Sequence, residues 1–474
     1  MVQKHHVVVF SSPGMGHLIP LVELSKKLVT AHDLSITLII PSLGPPPKAQ
    51  AQVLESLPPG SINHVLLPPS DPSKFPTGSR IETLICLTVA HAIPALHDAL
   101  RSLVERVGRP VALIADFFCT DTFDVAREFG VPSYLFILMN ATVLSMLLHL
   151  PRLDQEVSGE YGDMDRRIRL PGCRVDLPGS DLPDPLLDRK DDAYKWFMHN
   201  AKRLNLVDGF LVNSFTELEG ETIRYLQENA GPEKKPVYPI GPIIQSGQSN
   251  GSTDPSGCLE WLDDEPTGSV VFISFGSGGT LSSKQLKELA LGLEMSEQPF
   301  LLVVRSPNDA ATDASYFSAK SASNPLDFLP DGFVERTRGR GMVVPSWAPQ
   351  IQVLGHRATG GFVSHCGWNS TVESIVKGVP LIAWPLYAEQ RMNAVLLEKD
   401  MEIALRPEAG EDGMIGREEI ARVVKGLMGG KEGSVVRERM AKLKVAAAEA
   451  VKEGGSSTKS LGELVSKWGE VSLE

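Results

Sequence analysis

The sequence predicts an α/β protein made of two Rossmann-like, doubly wound parallel-sheet domains that face each other across a cleft. Short apolar runs rich in Val and Ile recur along the chain, and a stretch of helical periodicity follows each of them. The runs are continuous rather than alternating, as is typical of parallel strands covered by helices on both faces. The series ends before a segment rich in Pro, Gly, Ser and Asn at residues 236–255 and starts again after residue 260. Because that composition is typical of a linker, we expect two domains.

The first series supplies the elements of the N-terminal domain. Its predicted strands are residues 5–10, 35–40 and 111–115, and its predicted helices start near residue 17, near residue 48 and at residue 120. The apolar stretch 134–150 is 17 residues long and contains four polar residues. A membrane span needs about 20 mostly apolar residues. We therefore predict a buried strand that leads into a helix, and no membrane span.

The second series supplies the elements of the C-terminal domain. Its predicted strands are residues 269–275, 300–304, 342–344, 361–363 and 381–384, with helices at 284–295 and 369–377. A polar insert, residues 307–324, is predicted to be a surface loop. The end of the chain, residues 434–468, is predicted to be helical with a break at 454–457.

Composition narrows the functional classes. The chain has 474 residues, with 46 Lys and Arg against 58 Asp and Glu, and a net charge of −12. Binding to nucleic acid or to an anionic membrane surface requires an excess of Lys and Arg, so the charge argues against both. Five widely spaced cysteines predict neither a disulfide framework nor a zinc site. The apolar run at residues 7–10 is too short for a signal peptide, and we expect a cytoplasmic protein.

A histidine and a carboxylate follow two of the predicted strands. His17 opens a helix after the first strand, and Asp116 directly follows the strand 111–115. Since the carboxyl ends of parallel strands share one edge of the sheet, the two can form a general base and its partner. The alternatives are a capping or core histidine and an aspartate that caps a helix. The third glycine of a dinucleotide fingerprint would stand at Ile19, so the sequence does not favour an oxidoreductase.

Two segments of the second series predict a site for a nucleotide sugar. The run from Ser274 to Gly279 is rich in glycine, and His365 to Ser370 open a helix after a strand. Both features bring backbone N–H groups to an anion such as a diphosphate, although a glycine-rich run is as often only a tight turn. Trp347 offers a flat face for a base, and Glu373 an acceptor for ribose hydroxyls. Glu389 and Gln390 suit the hydroxyl groups of a sugar.

The 44 residues from Trp347 to Gln390, WAPQIQVLGHRATGGFVSHCGWNSTVESIVKGVPLIAWPLYAEQ, resemble the signature box of the plant family-1 glycosyltransferases that use UDP-sugars. The resemblance covers almost the whole chain and is greatest for the branch that glucosylates hydroquinone. It implies the GT-B fold with residues 1–240 as the acceptor-binding domain, 241–257 as a linker and 258–453 as the UDP-sugar domain. Residues 454–474 would form a helix that returns to the first domain.

The same resemblance implies a role for each matching residue. His17 would be the base and Asp116 its partner. The UDP-sugar would be held by Ser277, Trp347, Ala348, Gln350, His365, Trp368, Asn369, Ser370, Glu373, Glu389 and Gln390. The acceptor would contact Glu82, Phe117, Met139, Asn140 and Tyr387. Asn140 departs from the Ser/Thr pair that related enzymes usually have before the alanine at this place, which bears on the shape of the acceptor pocket.

These expectations add up to an inverting glucosyltransferase that acts on phenolic hydroxyls, with aromatic amines as a further acceptor class. UDP-glucose would be a co-substrate, with neither cofactor nor metal, and the chain would be a monomer. Asp163 and Asp165 spell the D-x-D string of metal-using enzymes, but a charged, non-strand segment predicts a solvated loop. The alternatives are a UDP-sugar hydrolase or epimerase-like enzyme and a non-catalytic nucleotide-sugar binder.

Overall fold

The computed structural model describes residues 5–231, 233–245, 254–310 and 324–471. The chain forms two compact units, Met1–Gln245 with Glu449–Glu474, and Ser246–Ala448. Residues 246–253 of the predicted linker and 311–323 of the predicted surface insert lie outside the described residues.

The first unit is built on a sheet of seven parallel strands. They are β1 (His6–Phe10), β2 (Ser35–Ser42), β3 (Ile62–Pro69), β4 (Ala112–Ala115), β5 (Ser133–Ile137), β6 (Gly209–Val212) and β7 (Val237–Pro239). Their order across the sheet is β3-β2-β1-β4-β5-β6-β7, and every neighbouring pair is parallel. The direction of winding therefore reverses between β1 and β4.

The second unit repeats this plan with six parallel strands. They are β8 (Val270–Ser274), β9 (Phe300–Val304), β10 (Gly341–Pro345), β11 (Thr359–Ser364), β12 (Leu381–Ala383) and β13 (Ala404–Leu405). Their order is β10-β9-β8-β11-β12-β13, so this sheet reverses between β8 and β11. The prediction of two Rossmann-like, doubly wound domains is confirmed.

Helices connect the strands of both sheets. They are α1 (Met15–His32), α2 (Lys48–Glu55), α3 (Ile81–Val107), α4 (Thr122–Glu128), α5 (Ala141–Glu156), α6 (Asp192–Lys202), α7 (Thr216–Asn229), α8 (Cys258–Asp263), α9 (Ser283–Ser296), α10 (Phe333–Arg336), α11 (Gln350–Gly355), α12 (Trp368–Lys377), α13 (Gln390–Val395), α14 (Arg417–Gly429), α15 (Lys431–Val451) and α16 (Ser456–Val471). The predicted helix 120–129 is shorter than expected, because Phe117–Cys119 forms a separate 3₁₀ turn before α4.

The last helix, α16, contributes to the core of the first unit. Leu461, Leu464 and Trp468 are buried together with β-strand residues such as Val9 and Phe136. The Trp468 ring meets Tyr134 edge-on, with ring centroids 5.6 Å apart. Residues 449–474 are thus part of the first unit although the whole of the second unit precedes them in the chain.

Within the described part of the chain, one helix, α3, meets the length and the hydropathy that a bilayer-spanning helix needs. Within its most apolar 18 residues, 44% are buried in the protein, and a core helix passes the same test. The stretch 134–150 forms β5 and then α5, as the sequence predicts. All five cysteines are buried and free.

Candidate active site

His17 and Asp116 lie at the place where the first sheet reverses. In doubly wound sheets this is where ligands bind, outside the carboxyl ends of the strands. The chain turns after β1 through Gly14, whose φ of 120° favours glycine, and His17 is the third residue of α1. Asp116 directly follows β4. The structure therefore brings the predicted pair together, with His17 Nδ1 3.7 Å from Asp116 Oδ2, slightly beyond hydrogen-bond distance.

The Asp116 carboxylate is buried and held in one orientation. Its Oδ2 accepts from the Ser12 backbone N–H at 2.7 Å, and its Oδ1 accepts from the Phe118 N–H at 3.0 Å. The Cys119 thiol donates to Oδ1 as well, at 3.5 Å. Burial raises the pKa of Asp116, but the charge of His17 and the bond from Ser12 outweigh it, so the pKa lies below its usual value. Asp116 is thus an anion, and it caps the 3₁₀ turn besides facing His17.

Phe118 forms the aromatic wall beside His17. The His17 side chain is 19% exposed, and its ring meets the half-buried Phe118 ring edge-on with centroids 5.4 Å apart. Phe117, which the sequence prediction placed in the acceptor site, is only 2% exposed and packs against Phe197 at 4.8 Å. Phe118 rather than Phe117 presents its ring to His17, because the packing of α6 covers Phe117. The predicted acceptor contact of Phe117 stays a prediction.

Glu82 lies near the start of α3 and is 8% exposed, so it is not the solvated glutamate that is commoner on helices. Burial raises the pKa of the Cys86 thiol, and the carboxylates of Glu82 and Asp116 raise it further. α3 packs against the 3₁₀ turn Phe117–Cys119, which directly follows Asp116.

Asn140 is the N-cap of α5. Its side chain is fully buried, and Oδ1 accepts from the Val143 N–H at 2.8 Å as the N-cap of α5. The same helix end is held by Glu219, which accepts from the N–H groups of Ala141 and Thr142 at 2.9 and 3.1 Å. The structure thus gives the Asn140 side chain a capping role, and its predicted contact with the acceptor stays a prediction. Met139, one residue earlier, is half-buried.

In the second unit, His365 lies at the reversal between β8 and β11. Its imidazole packs between the backbones of Gly276 and Gly367. A side chain at either position would collide with the ring, because a Cβ on Gly276 would lie 2.6 Å from the ring and a Cβ on Gly367 would lie 2.5 Å from Nε2. Burial lowers the pKa of His365 to about 4, so the ring is neutral at neutral pH. Its Nδ1 has no hydrogen-bond partner among the described residues. A buried, unpaired ring nitrogen beside a glycine-rich loop suits a polar ligand.

The first turn of α12 carries the residues predicted to hold diphosphate and ribose. Trp368 is its first residue and is buried, and Asn369 and Ser370 follow in the first turn, at the positive end of the helix dipole. Gln350 Nε2 donates to Ser370 Oγ at 2.9 Å and to Glu373 Oε2 at 2.7 Å. Burial raises the pKa of Glu373 to about 7, although the bond from Gln350 lowers it.

Trp347 stands out as an exposed aromatic residue. It follows β10 and is 62% exposed, whereas Ala348 beside it is 5% exposed. Ser346 before it has a φ of 67°, which turns the chain at this point. A flat, exposed indole of this kind offers a surface on which a base can stack.

Glu389 and Gln390 are oriented by their surroundings. Gln390 Oε1 accepts from the N–H groups of Leu386 and Tyr387 at 2.9 and 3.0 Å, which leaves its NH₂ group to donate. Asn393 Nδ2 donates to Glu389 Oε1 at 3.1 Å and to the Cys366 carbonyl at 2.9 Å. Asn393 thus connects Glu389, a predicted sugar residue, with the loop that follows His365. The sequence reasoning missed it, because its spacing within α13 carries no signal until the helix is packed.

The remaining predicted residues are exposed or half-buried. Ser277 is exposed in the loop after β8, and Tyr387 is half-buried. Asp163 and Asp165 are exposed outside any strand, as predicted. Within the described residues, no group of three or more His, Cys, Asp or Glu side chains has the arrangement of a metal site.

Comparison with known proteins relates these two clusters to a family. Residues 238–403 match the model described as "UDP-glucoronosyl and UDP-glucosyl transferase". The chain is 55% identical to UDP-glycosyltransferase 72B1 of Arabidopsis thaliana over 98% of this chain and 96% of the relative. It is 54% identical to hydroquinone glucosyltransferase of Rauvolfia serpentina, over 98% of this chain and 97% of that one.

A solved structure is similar over the same extent. Phytolacca americana UGT2, complexed with UDP-2fluoro-glucose and pterostilbene, has a TM-score of 0.90 and 50% identity to this chain. The match covers 98% of this chain and all of that one. Sequence and fold are therefore similar along nearly the whole chain.

Proposed function

The chain belongs to the plant family-1 UDP-glycosyltransferases, and we propose that it transfers glucose from UDP-glucose to the hydroxyl group of a small phenol with inversion at the anomeric carbon. The observation that carries this proposal is the His17–Asp116 pair at the reversal of the first sheet, 3.7 Å apart, with Asp116 locked by backbone N–H groups. The fold is the GT-B class of the family's solved structures.

In the proposed reaction, His17 is the general base. Its Nδ1 faces Asp116, which favours the tautomer with the proton on Nδ1 and leaves the Nε2 lone pair to accept the phenolic proton. The phenolic oxygen forms a bond to the anomeric carbon while the bond from that carbon to the diphosphate breaks. An α-linked donor then gives a β-glucoside and UDP. Asp116 stabilises the imidazolium as it forms.

The second unit would bind the donor. We assign the uracil to the exposed face of Trp347 and the backbone of Ala348, the ribose hydroxyls to Gln350 and Glu373, and the sugar hydroxyls to Trp368, Glu389 and Gln390. Ser277, His365, Asn369 and Ser370 would hold the diphosphate. Support comes from the unpaired Nδ1 of His365 and from the position of Asn369 and Ser370 in the first turn of α12, where the helix dipole favours an anion. These groups meet the charge of the leaving diphosphate, and we propose a reaction without a metal ion.

We assign the acceptor site to Phe118, Glu82 and Met139 of the first unit. The half-buried Phe118 ring beside His17 suits a phenol ring packed edge to face. The relative from Rauvolfia serpentina is named for hydroquinone, and the Phytolacca structure contains pterostilbene. Both names support an aromatic alcohol as the acceptor, with aromatic amines as a further class to be assayed.

The test is release of UDP from UDP-glucose with and without a panel of simple phenols, with the product identified by mass and NMR. We expect release that depends on the phenol and a β-glucoside product, unchanged after treatment with EDTA. Equal release without any phenol would indicate a hydrolase or an epimerase-like enzyme. Binding of UDP-glucose with no release for any phenol or amine would favour a non-catalytic binder. An α-glucoside would contradict the inverting mechanism.

Protonation of Glu373 should make nucleoside binding depend on pH. Burial raises the pKa of Glu373 to about 7, so below that pH most of the Glu373 carboxyl groups carry a proton. The carboxyl group must lose this proton before it can accept hydrogen bonds from the ribose hydroxyls as a carboxylate. Affinity is therefore full above the pKa and falls as the pH drops through it, by about tenfold between pH 8 and pH 6. Uridine is the probe, because it carries no phosphate that titrates in this range. Its Kd is measured by calorimetry.

Glu373→Gln is the matched control for this pH dependence. It keeps the shape of the side chain and removes the titration, so the Kd of uridine should vary by less than about twofold from pH 6 to pH 8. His365 is neutral throughout this range, because burial holds its pKa near 4. A pH dependence that persists in Glu373→Gln would assign it to another group.

A further inference from the structure

Arg305 lies directly behind the loop that connects β8 to α9. It follows β9, and β9 pairs with β8 in parallel register, so both strands end at the same edge of the sheet. This loop covers residues 275–282, and its glycine-rich first part, Phe275 to Gly279, contains Ser277. Sequence analysis gave Arg305 no role.

The guanidinium of Arg305 holds two successive carbonyl groups of this loop. Its Nη1 donates to the Gly276 carbonyl at 3.2 Å and also to the Ser277 carbonyl. Because a trans peptide unit is planar, with its N–H and C=O pointing in opposite directions, these bonds set the direction of the next N–H group in each case. The N–H groups of Ser277 and Gly278 therefore point away from Arg305. Two such consecutive N–H groups form a concave site for an anion.

The same loop is in contact with His365. The Gly276 backbone is so close to the imidazole that a Cβ there would lie 2.6 Å from Cε1 and Nε2. The loop is also closed on itself, since a Cβ on Gly279 would fall 2.3 Å from the Phe275 carbonyl oxygen. A shift of the carbonyls that Arg305 holds would therefore move the wall against which His365 packs.

The charge of Arg305 is not neutralised nearby. No carboxylate forms an ion pair with it within the described parts of the chain, and its side chain is only half-buried. Burial lowers the pKa of the guanidinium, but arginine remains protonated at any physiological pH. An unpaired cation behind the two N–H groups adds to the attraction of an anion on their other side.

We propose that Arg305 is a positioning residue for the diphosphate of the donor. It orients the Gly276–Gly278 backbone, against which His365 packs, and it does not touch the sugar nucleotide itself. This proposal rests on the proposed function, because it assumes that the loop after β8 faces the diphosphate. It makes a specific prediction: Arg305 matters for ligands that carry phosphates and not for the nucleoside alone.

The experiment compares the Kd of UDP with that of uridine in Arg305→Gln and Arg305→Lys. We expect Arg305→Gln to raise the Kd of UDP and the KM of UDP-glucose by about tenfold to hundredfold, as for loss of a charged hydrogen bond. The Kd of uridine and the KM of the phenol should change by less than about twofold. Arg305→Lys retains one charged donor and should restore part of the affinity for UDP.

Arg357→Gln is the matched control. Arg357 also donates to two backbone carbonyls, those of Glu265 and Asp263, but it stands just before β11, at the opposite end of the strands. Its removal should leave the affinity for UDP unchanged. Equal losses for UDP and uridine in Arg305→Gln, or a Kd of UDP like that of the wild type, would overturn the proposal. If Arg305→Gln does not fold, Arg305→Lys decides between these outcomes. A wild-type chain that binds UDP but transfers no glucose would contradict the proposed function and leave this comparison intact.

Discussion

Substitution of His17 by alanine is expected to lower kcat for an un-ionised phenol by about 10³-fold. The imidazole lies at the reversal of the first sheet, and its partner Asp116 is a buried anion. Without it, the reaction loses the group that we propose accepts the phenolic proton as the glycosidic bond forms. The Kd of UDP should stay within about twofold of the wild-type value, because the proposed donor residues lie in the second unit. Initial rates and UDP binding measure the two quantities separately.

A series of acceptors distinguishes loss of a base from general damage to the site. A nitrophenol that is already largely ionised at the assay pH needs no base, so His17→Ala should retain much more activity on it than on an un-ionised phenol. His64→Ala is the control, since His64 is exposed on the edge strand β3 and should behave as wild type. An equal loss for both kinds of phenol would argue that His17 only shapes the pocket.

Substitution of Trp468 by alanine is expected to lower the free energy of unfolding of the first unit by about 3–5 kcal/mol. Trp468 is fully buried among Leu461, Leu464 and the residues of the sheet, and it meets Tyr134 edge-on. Its removal leaves a cavity where α16 closes the core. Hydrogen–deuterium exchange provides the measurement, because a chain of two units does not unfold in one step. Amides of β1 and β5 should exchange faster.

Two controls accompany this measurement. Ser466→Ala changes an exposed residue of the same helix and should shift stability by less than about 0.5 kcal/mol. Exchange in β8 and β11 should be unchanged in both variants, since these strands belong to the second unit. If β8 and β11 exchange faster together with β1 and β5, the effect of Trp468 is not confined to the unit that buries it.

The donor-side geometry is the part of the candidate site that sequence predicts best. His365, the start of α12 and Glu373 fall within a few residues of one another, after a strand whose apolar run is easily recognised. Helix periodicity places Glu373 one turn beyond Asn369 without knowledge of the rest of the fold. The short spacing leaves few arrangements open, and for this reason the local geometry could be predicted.

The acceptor side is assembled from segments that are far apart in the chain. Phe118 and Glu82 stand on different elements, and whether each is exposed depends on the helices packed over them. The sequence alone therefore does not show that Phe197 covers Phe117 or that Asn140 caps a helix. Strands β3, β6, β7 and β13 were not predicted, since such short or irregular runs do not differ from loops until they pair.

By itself the sequence determined the class of fold, the two series of strands, and the placement of His17, Asp116 and His365 after strand ends. These follow from interactions between near neighbours in the chain, which periodicity and turn residues record. Four features depend on how distant segments pack. Two of them are the distance of 3.7 Å between His17 and Asp116 and the pKa of Glu373 near 7. The other two are the hydrogen bonds from Arg305 to the loop after β8 and the burial of Trp468 in the core of the first unit. The physical reason is that burial, and the electrostatics that follow from it, arise where distant segments pack together.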